Sequence, residues 1–471
     1  MDLPGPQAGT VIDGYRLEER LHHGSMATLW RVSSYDGGPS LVLKMPLLRE
    51  GDDATAIVGC EVEQMILPTL SGVHVPRWIA SGDFSIQPYL AMELIPGPSL
   101  RSRLDDAPLA VGEVSRIGAR VATALHDLHG QHVIHLDVKP SNVMFRQTGE
   151  AVLIDYGLAR HDHLPDLLAE QFRLPMGTAP YISPEQVRNV RSDPRSDLFA
   201  LGVMLYHLTT GARPFGNPTT VHGLRRRLHR DPVPPRARNP ACPPWLQEVI
   251  LKCLEVDVGE RYQTAAQVAL ALQHPDQVEL SARSHRLARA GVLTVAGRWV
   301  RNLTAASIAP TSAAGQLARA PIVLVALDLA AGSSTLASAL RVAARRVFDS
   351  EPRARLACLT VLRAPRLAVS TTGGSRAGQV RLMRLVELKH WAAPLAIDDG
   401  RVTYHVLDGP DAARAILEFA ETNKVDQIVI GARGSSALRR YLGSVSSQVV
   451  AEAGCTVTVV KSPEGTQRIS G

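Results

Sequence analysis

The stretch HVIHLDVKPSNVMF, residues 132–145, constrains the chain more than any other feature. It sets a carboxylate, an ammonium group and a carboxamide, those of Asp137, Lys139 and Asn142, between short apolar runs. A second carboxylate, Asp155, follows thirteen residues after Asn142, in the segment LIDYGLAR. Phosphoryl transfer requires a carboxylate that orients a hydroxyl, positive charge on the transferred group, and oxygen ligands for Mg²⁺. The stretch offers all three, with Asn142 and Asp155 as the candidate metal ligands.

Length and composition indicate a folded protein of several domains. The 471 residues exceed one ordinary hydrophobic core, and about three domains of average size would fit. The net charge of +6 is spread over 45 acidic and 51 basic residues, so we expect neither a nucleic-acid nor a membrane partner. The basic stretch at residues 223–230 has no interleaved aromatic residue and is expected to be a solvated helix face.

The cysteines and the N-terminus favour a cytoplasmic protein. The cysteines are odd in number and lack the close spacing of a zinc or redox motif, so we expect thiols that act as small apolar side chains. The N-terminus lacks the pattern of a signal peptide, and no run of 18 apolar residues is present.

Three zones follow one another along the chain. Residues 12–275 mix short strand-like runs with helical patterns, residues 276–320 are rich in Ala, Arg, Ser and Thr and predict a linker, and residues 321–462 alternate strands with helices. In the third zone we expect the strands PIVLVALDL, ARLACLTVL, VTYHVLD, QIVIGA and CTVTVV, with a less regular middle. Such alternation predicts an α/β doubly wound parallel sheet. Ala412, Ile416, Phe419 and Ala420 should form the face of a helix that packs on it.

The spacing D-x-K-P-x-N…D-Y-G resembles the catalytic loop and metal-binding motif of protein kinases. Over residues 12–272 the chain resembles the bacterial Ser/Thr protein kinases of the eukaryotic-like type, which implies an α+β two-lobed kinase fold and the use of ATP and Mg²⁺. Lys139 followed by Pro140 favours Ser/Thr over Tyr kinases. The resemblance implies that Asp137 orients the substrate hydroxyl and that Lys139 stabilises the transferred charge.

The same resemblance implies an ATP site. Lys44 would hold the phosphates and pair with Glu63, for which Glu61 is a rival, and Met92 would be the gatekeeper. The positions that it places around the nucleotide are Leu21, Gly24, Leu29, Lys44, Glu63, Met92, Glu93 and Ile95. Outside this site, Asp197 would brace the catalytic loop and Glu185 would pair with Arg261.

Two departures from the kinase pattern affect function. The phosphate-covering loop reads HHGSMATL and keeps only Gly24 of the three usual glycines, which predicts weaker ATP binding. Leu136 replaces the arginine that, in the family, clamps a phosphorylated activation loop. No Ser or Thr lies between Asp155 and Thr178. We therefore expect activity that does not depend on phosphorylation of that loop.

Four histidines recur at every third position from residue 126 to residue 135, namely His126, His129, His132 and His135. This spacing crosses from a helix into a loop and does not predict one metal coordination sphere. His129 and His135 match structural histidines of the kinase pattern.

The segment GARGSSALRRYLGSVSSQVV follows a predicted strand, where glycines let backbone amides approach a phosphate. Its spacing, Gly431-x2-Gly434-x8-Gly443-Ser444, resembles the nucleotide-binding motif of the universal stress protein family, whose usual second gap is nine residues. The resemblance covers about residues 320–462 and implies that Asp328 meets the nucleoside. It leaves open an adenine-nucleotide site or a domain that forms homodimers through its last strand.

Two hypotheses for the whole chain follow. The first is a cytoplasmic protein Ser/Thr kinase of signalling or stress response, whose C-terminal domain senses a nucleotide or dimerises. The alternative is a pseudokinase, a scaffold that binds ATP without transferring phosphate, which the altered glycine loop favours and the retained catalytic residues disfavour.

Overall fold

The structure is a computed structural model. It describes residues 6–24, 27–34, 37–46, 55–82, 88–172, 174–288, 321–329, 334–351, 354–362, 374–397, 401–432 and 444–461. The chain divides into two compact units, the first made of residues 1–46 and 56–311 and the second mainly of residues 312–471.

The first unit begins with an antiparallel sheet of six strands in the order β1-β2-β3-β4-β6-β5. Its strands are β1 (Val11–Ile12), β2 (Tyr15–His23), β3 (Ala27–Ser34), β4 (Leu41–Pro46), β5 (Trp78–Ser81) and β6 (Leu90–Glu93). Burial alternates along β4, where Leu41, Leu43 and Met45 are buried, as expected for a strand with one face in a core. Helix α1 (Thr55–Ile66) buries Val58 and Val62 in the larger core of this unit.

The remainder of the first unit is mainly helical. Its helices are α2 (Val111–Gly130), α3 (Leu167–Gln171), α4 (Pro184–Val187), α5 (Arg195–Thr210), α6 (Val221–Arg225), α7 (Pro235–Arg238), α8 (Pro244–Cys253), α9 (Ala265–Gln273) and α10 (Ala282–His285). Helix α5 is buried along nearly its whole length and packs with α2 and α8. Two short antiparallel pairs, β7 (Val133–Ile134) with β10 (Arg160–His161) and β8 (Val143–Phe145) with β9 (Ala151–Leu153), lie next to the candidate catalytic segments. The predicted α+β two-lobed fold is confirmed.

The expectation for the basic stretch at residues 223–230 is wrong at its centre. Arg225, Arg226 and Arg230 are exposed, but Arg227 is only 1% exposed. Its guanidinium donates to the carbonyl oxygens of Ala179, at 2.8 Å, and Ile182. Burial of an arginine is costly unless hydrogen bonds compensate its charge. The acceptors for Nη1 and Nη2 lie more than forty residues away in sequence, while Nε has no partner among the described residues.

The second unit contains a five-stranded sheet in the order β13-β12-β11-β14-β15, and every neighbouring pair is parallel. Its strands are β11 (Ile322–Ala326), β12 (Arg355–Leu362), β13 (Val402–Asp408), β14 (Gln427–Ala432) and β15 (Thr456–Lys461). Its helices are α11 (Ser334–Ser350), α12 (Gly374–Ala392), α13 (Ala412–Thr422) and α14 (Ser444–Glu452). The predicted doubly wound α/β fold is confirmed.

Two details of the second unit differ from expectation. The middle predicted to be less regular contains helix α12, which buries Leu385, Leu388 and Trp391 at helical spacing. In α13 the first residue of the packed face is Ala413 and not Ala412. Ile416, Phe419 and Ala420 are buried as predicted, and Ala413 belongs to the same face because it lies three residues before Ile416.

All five cysteines are free thiols. Cys60, Cys242, Cys253 and Cys358 are buried free thiols, and Cys455 is half-buried. Burial raises the pKa of Cys242 and of Cys253 to about 12, so both are neutral small side chains near pH 7, as predicted. None of the helices in the described ranges is both long and apolar enough to cross a membrane.

Candidate active site

A lysine joins the sheet, helix α1 and the segment after β9. The Nζ of Lys44 lies 2.5 Å from Oε2 of Glu63 and 2.6 Å from Oδ1 of Asp155. The backbone N–H of Tyr156 donates to the other oxygen of Glu63, at 3.1 Å. Glu63, not its rival Glu61, is therefore the partner of Lys44, and the three elements are held in one arrangement.

The electrostatics of this cluster keep Lys44 charged. Burial disfavours its ammonium form, but Asp155 and Glu63 outweigh this effect and raise its pKa. Burial also raises the pKa of Glu63, which Lys44 opposes in part. For Asp155 burial acts against ionisation, yet the Lys44 charge outweighs it and lowers the pKa. A protonated Lys44 beside an ionised Asp155 results.

A second cluster forms around Asp137. Lys139 Nζ lies 2.6 Å from Asp137 Oδ2 and donates to Thr178 Oγ1 at 2.8 Å. The backbone N–H of Thr178 donates to Asp137 Oδ1 at 2.8 Å, and Asn142 Nδ2 donates to the Asp137 carbonyl at 3.0 Å. Asp137 and Asn142 are buried, whereas Lys139 is half-buried. The structure thus brings the predicted catalytic residues together.

The described residues include oxygen ligands suited to a divalent cation. The side chain of Asp155 is 43% exposed and contacts Lys44 through Oδ1, and among the described residues its Oδ2 makes no hydrogen bond. Asn142 uses its nitrogen to bind Asp137, which directs the amide oxygen elsewhere. Carboxylate and amide oxygens are the donors that Mg²⁺ prefers, so the residues present fit the metal.

The predicted brace of the catalytic loop is confirmed. Asp197 accepts the backbone N–H of His135 at 2.9 Å and that of Leu136 at 2.8 Å, and its Oδ2 lies 2.9 Å from His129 Nε2. Leu136 has φ of 60°, a left-handed conformation that costs a branched side chain energy. The bonds from Asp197 therefore fix a loop that the local sequence alone would not favour.

The predicted pair of Glu185 and Arg261 is also confirmed. Two parallel contacts join them, at 2.7 and 2.8 Å, and both side chains are buried. Ser196 donates to Glu185 as well, at 2.7 Å. This bidentate pair ties the segment at residues 177–185, GTAPYISPE, to the helical core; we call this segment the substrate-side loop.

The end of β6 and the residues directly after it contain the predicted gatekeeper and the backbone predicted to meet adenine. Met92 and Ile95 are buried at the level of this strand. The side chain of Glu93 is held by Arg146 at 2.6 and 3.0 Å, and its backbone N–H donates to the Arg77 carbonyl. Glu93 therefore fixes the path of the segment.

The hairpin of β2 and β3 contains the altered glycine loop. The backbone N–H of Gly24 donates to the Ala27 carbonyl at 3.0 Å. A Cβ at position 24 would lie 3.1 Å from His22 Nε2, a close contact that the exposed His22 side chain would have to relieve by moving. Leu21 is 42% exposed and Leu29 is half-buried. The loop residues at positions 25 and 26 lie outside the described residues.

Sequence reasoning missed the contributions of Thr178 and Gly59 to the site. Thr178 bridges Lys139 and Asp137. Its position in the GTAPYISPE motif could have indicated this role. Gly59 of α1 faces Gly157, and a Cβ on Gly59 would lie 3.1 Å from the Gly157 carbonyl oxygen, so this close approach seats the helix that holds Glu63. The small residue one turn before Glu63 was the available clue.

Only part of the predicted site in the second unit is described. Gly431 lies in β14 and is half-buried, whereas Asp328 and Ser444 are exposed at the end of β11 and the start of α14. A Cβ on Gly431 would lie 2.9 Å from the Leu336 side chain, so a larger residue there would force Leu336 to move and packing alone favours a glycine. Gly434 and Gly443 lie outside the described residues.

A family model described as the protein kinase domain matches residues 15–275, more than half of the chain. The chain belongs to the protein kinase family. A model of the universal stress protein family matches residues 321–461, so the second unit is a domain of that family, as predicted.

Curated relatives are bacterial kinases. The chain is 37% identical over 182 residues to the serine/threonine-protein kinase PknB of Mycolicibacterium smegmatis, covering 38% of this chain and 29% of that protein. It is 34% identical over 286 residues to a probable serine/threonine-protein kinase of Corynebacterium efficiens, covering 58% and 43%. The kinase domain of PknI from Mycobacterium tuberculosis aligns with a TM-score of 0.46 and 23% identity, over 57% of this chain and 99% of that domain. The chain spans less than half the length of the curated relatives that it matches.

Proposed function

We propose that this chain is a protein serine/threonine kinase of bacterial signalling or stress response that uses ATP and Mg²⁺. The observation that carries the proposal is the bridge from Lys44 to both Glu63 and Asp155. A kinase acts only when its lysine–glutamate ion pair is formed and its metal-binding aspartate is in place, and the bridge sets Asp155 directly beside the pair of Lys44 and Glu63. A scaffold that only binds ATP has no need of the second cluster, in which Asp137, Lys139 and Thr178 are joined.

Each residue has a separate role in this proposal. Asp137 accepts the proton of the substrate hydroxyl and orients its oxygen, while Lys139 neutralises charge on the transferred group. Lys44 holds the nucleotide phosphates, and Asn142 with Asp155 would hold Mg²⁺, which supplies electrostatic stabilisation when bound. The partner is a protein with a serine or threonine hydroxyl.

The experiment compares the full chain with its Asp137→Asn variant in the presence of Mg²⁺ and γ-labelled ATP, with a generic substrate protein. Label that enters the wild-type reaction and is at least about a thousandfold weaker in the variant supports the kinase, since the variant retains shape but not the base. ATP binding without label in either protein would instead establish the pseudokinase, and the hairpin around Gly24 would be the first region to examine.

We further propose that activity does not require a phosphorylated activation segment. Asp166, in that segment, accepts from Arg191 Nε at 3.0 and 3.2 Å and lies 3.8 Å from Arg160 Nε. Arg191 also donates to the Leu158 carbonyl at 3.0 Å. A carboxylate between two arginines occupies the role that a phosphate has in clamped segments, while Leu136 offers no guanidinium.

Phosphatase treatment of the purified chain tests this regulation. We expect labelling activity to remain unchanged, while Asp166→Asn lowers it about tenfold by loosening the segment. Asp162→Asn, a matched change at an exposed carboxylate of the same segment, should have little effect. A phosphate found on residues 155–178 whose removal silences the enzyme would refute this part of the proposal.

For the second unit we propose that the segment after β14 binds an adenine nucleotide. Its support is the parallel strand β14, which ends at Ala432, and helix α14, which begins at Ser444, because phosphates bind between such a strand and helix in folds of this kind. Calorimetric titration of the full-length Lys44→Met variant, in which the first site is weakened, tests it. Absence of adenine-nucleotide binding would leave the dimerising role, read by sedimentation.

A further inference from the structure

The kinase domain contains a long segment without acidic residues. Residues 198–230 include no Asp or Glu, although 45 acidic residues in 471 would put about three there. The same segment includes five arginines and three histidines. The carboxylates that border the segment have other partners, because Asp197 binds the catalytic loop and Asp231 lies 3.4 Å from Arg286. The segment therefore contributes a local positive field.

This basic segment is fixed to the substrate-side loop. Arg227 is buried and donates to the carbonyl oxygens of Ala179 and Ile182 in that loop. Leu224 of α6 packs against Ile182 and Val187. The charged surface is therefore held in place against the part of the domain that also contacts the catalytic residues.

The arginines around this anchor face solvent. Arg225, Arg226 and Arg230 are exposed, and none of them pairs with a carboxylate among the described residues. The pKa of neighbouring His229 is lowered by burial and by the positive charges of Arg230 and Arg226. Like charges thus lie close together without an acidic partner from the described part of the chain, and their positive potential favours the approach of an anionic partner.

A further arginine lies at the substrate-side loop itself. The guanidinium of Arg213 bonds to the side chain of Tyr181 and donates to Asn217 at 3.0 Å, while its Nε is buried without a partner among the described residues. Tyr181 donates its backbone N–H to Thr178, which contacts Asp137 and Lys139. Arg213 is half-buried, so the accessible part of its guanidinium adds a positive charge at the substrate-side loop that can pair with an anion.

We propose that these arginines bind acidic side chains of the protein substrate on either side of its serine or threonine. The basic surface consists of Arg213, Arg225, Arg226 and Arg230. Tyr181 lies three residues from Thr178, at most about 11 Å along the chain, which an extended peptide covers in about four residues. Arg213 therefore selects a carboxylate or phosphate close to the acceptor hydroxyl, and the arginines of the α6 region select more distant ones. The inference rests on the proposed kinase function.

The experiment uses peptides with one central Ser or Thr in a neutral sequence and the full-length chain with Mg²⁺ and ATP. Glu, phosphoserine, Ala or Lys occupies each position from five before to five after the acceptor. At the preferred positions we expect Glu to raise kcat/KM about five- to tenfold over Ala, and Lys to lower it. Raising the salt concentration should reduce this preference, because solvent-exposed charges are screened. A larger gain from phosphoserine than from Glu would identify a phosphate as the favoured anion.

Two variants locate the effect. Arg225→Glu with Arg226→Glu should remove the preference at the distant positions, and Arg213→Ala should remove it at the near ones. The matched control, Arg116→Glu with Arg120→Glu, makes the same charge change at exposed residues of helix α2 and should keep the wild-type profile. Because the α6 arginines are exposed, their replacement leaves the buried anchor Arg227 in place.

Three results would overturn the inference. Peptides labelled without any preference for acidic residues would reject it while leaving the kinase function intact. A single-stranded RNA oligomer that binds the wild type but not the Arg225→Glu, Arg226→Glu variant, with no acidic preference, would assign the surface to nucleic acid. No labelling of any peptide or of the chain itself would reject the kinase function, and this inference with it.

Discussion

The two units of this chain present their candidate nucleotide sites in different ways. In the kinase domain the predicted residues contact one another: Lys44 reaches Asp155, 111 positions away in sequence, and Lys139 reaches Thr178. In the universal stress protein domain the predicted site depends on backbone amides after β14, and the contact of Gly431 with Leu336 gives that glycine a packing role as well. A site built from paired side chains can be recognised from the contacts between them. A site built from backbone amides is recognised mainly from the spacing of its glycines in the sequence.

The largest expected effect comes from breaking the side-chain site at Lys44. Lys44→Met removes the charge that joins Glu63 and Asp155, so phosphotransfer should fall about a thousandfold. Glu63 is 1% exposed and would keep only the backbone N–H of Tyr156, so the loss of its charged partner should also lower the free energy of unfolding by about 3–5 kcal/mol. Labelling with γ-labelled ATP and denaturant titration measure the two effects.

Arg31→Met is the control for Lys44, because Arg31 also lies on the sheet but pairs at the surface with Glu19. Surface pairs contribute about 0–1 kcal/mol, so little should change. Equal loss in both variants would mean that general damage to the sheet, and not the bridge, is responsible.

The second effect concerns Thr178, whose hydroxyl accepts from Lys139 while its backbone N–H donates to Asp137. Thr178→Val keeps the shape and the backbone bond but removes the hydroxyl, so we expect kcat to fall about ten- to a hundredfold with little change in ATP affinity. Thr178→Ser should restore most of the rate. If serine does not rescue, the threonine methyl packing matters more than the hydroxyl.

The sequence predicted contacts that depend on motif spacing, and it failed where the partner is distant and has no motif. Asp197 and the pair of Glu185 with Arg261 were found because each belongs to a motif of the kinase family. Arg227 was assigned to solvent because nothing near it in sequence shows the carbonyl oxygens of Ala179 and Ile182 that accept from it.

Helix α12 was also not predicted, although the residue pattern that indicates it lies within its own sequence. Leu385, Leu388 and Trp391 repeat every three residues and are buried together, a spacing typical of a helix face. The run begins in GGSRAG, where glycines disfavour a helix. Tertiary packing overrides that weak local preference, and a prediction that weighs composition first misses it.

The third expected effect separates a packing role of Gly431 from a nucleotide-binding role of Ser444 in the second unit. Gly431→Ala places a Cβ 2.9 Å from the Leu336 side chain, and overpacking of this kind costs about 1–3 kcal/mol. Ser444→Ala changes an exposed residue and should leave stability within about 0.5 kcal/mol while weakening any bound nucleotide. Thermal unfolding of the two variants, each with and without AMP, separates the roles. A stable Gly431→Ala protein would show that Leu336 yields and that packing is not what requires glycine.

The smallest effect is a local response to acid in the kinase domain. His161 pairs with Val133 between β10 and β7, and its ring centroid lies 5.6 Å from that of His163. Its pKa is lowered by burial and by His163 and His132, and raised in part by Asp162. The unfolded histidine therefore binds a proton that the folded one resists, so stability present above pH 6.5 is lost as the pH falls below that value.

Hydrogen exchange measures this response within each unit separately. Between pH 7.5 and 5.5, after correction for intrinsic rates, the β7–β10 pair should lose protection equal to a few tenths of a kcal/mol, since partial exposure screens the charge. His161→Gln should abolish that loss, and His126→Gln, which changes an exposed histidine of α2, should not. An equal loss in both variants would trace the acid response to other groups. Protonation of His161 would then not be the event that weakens the β7–β10 pair.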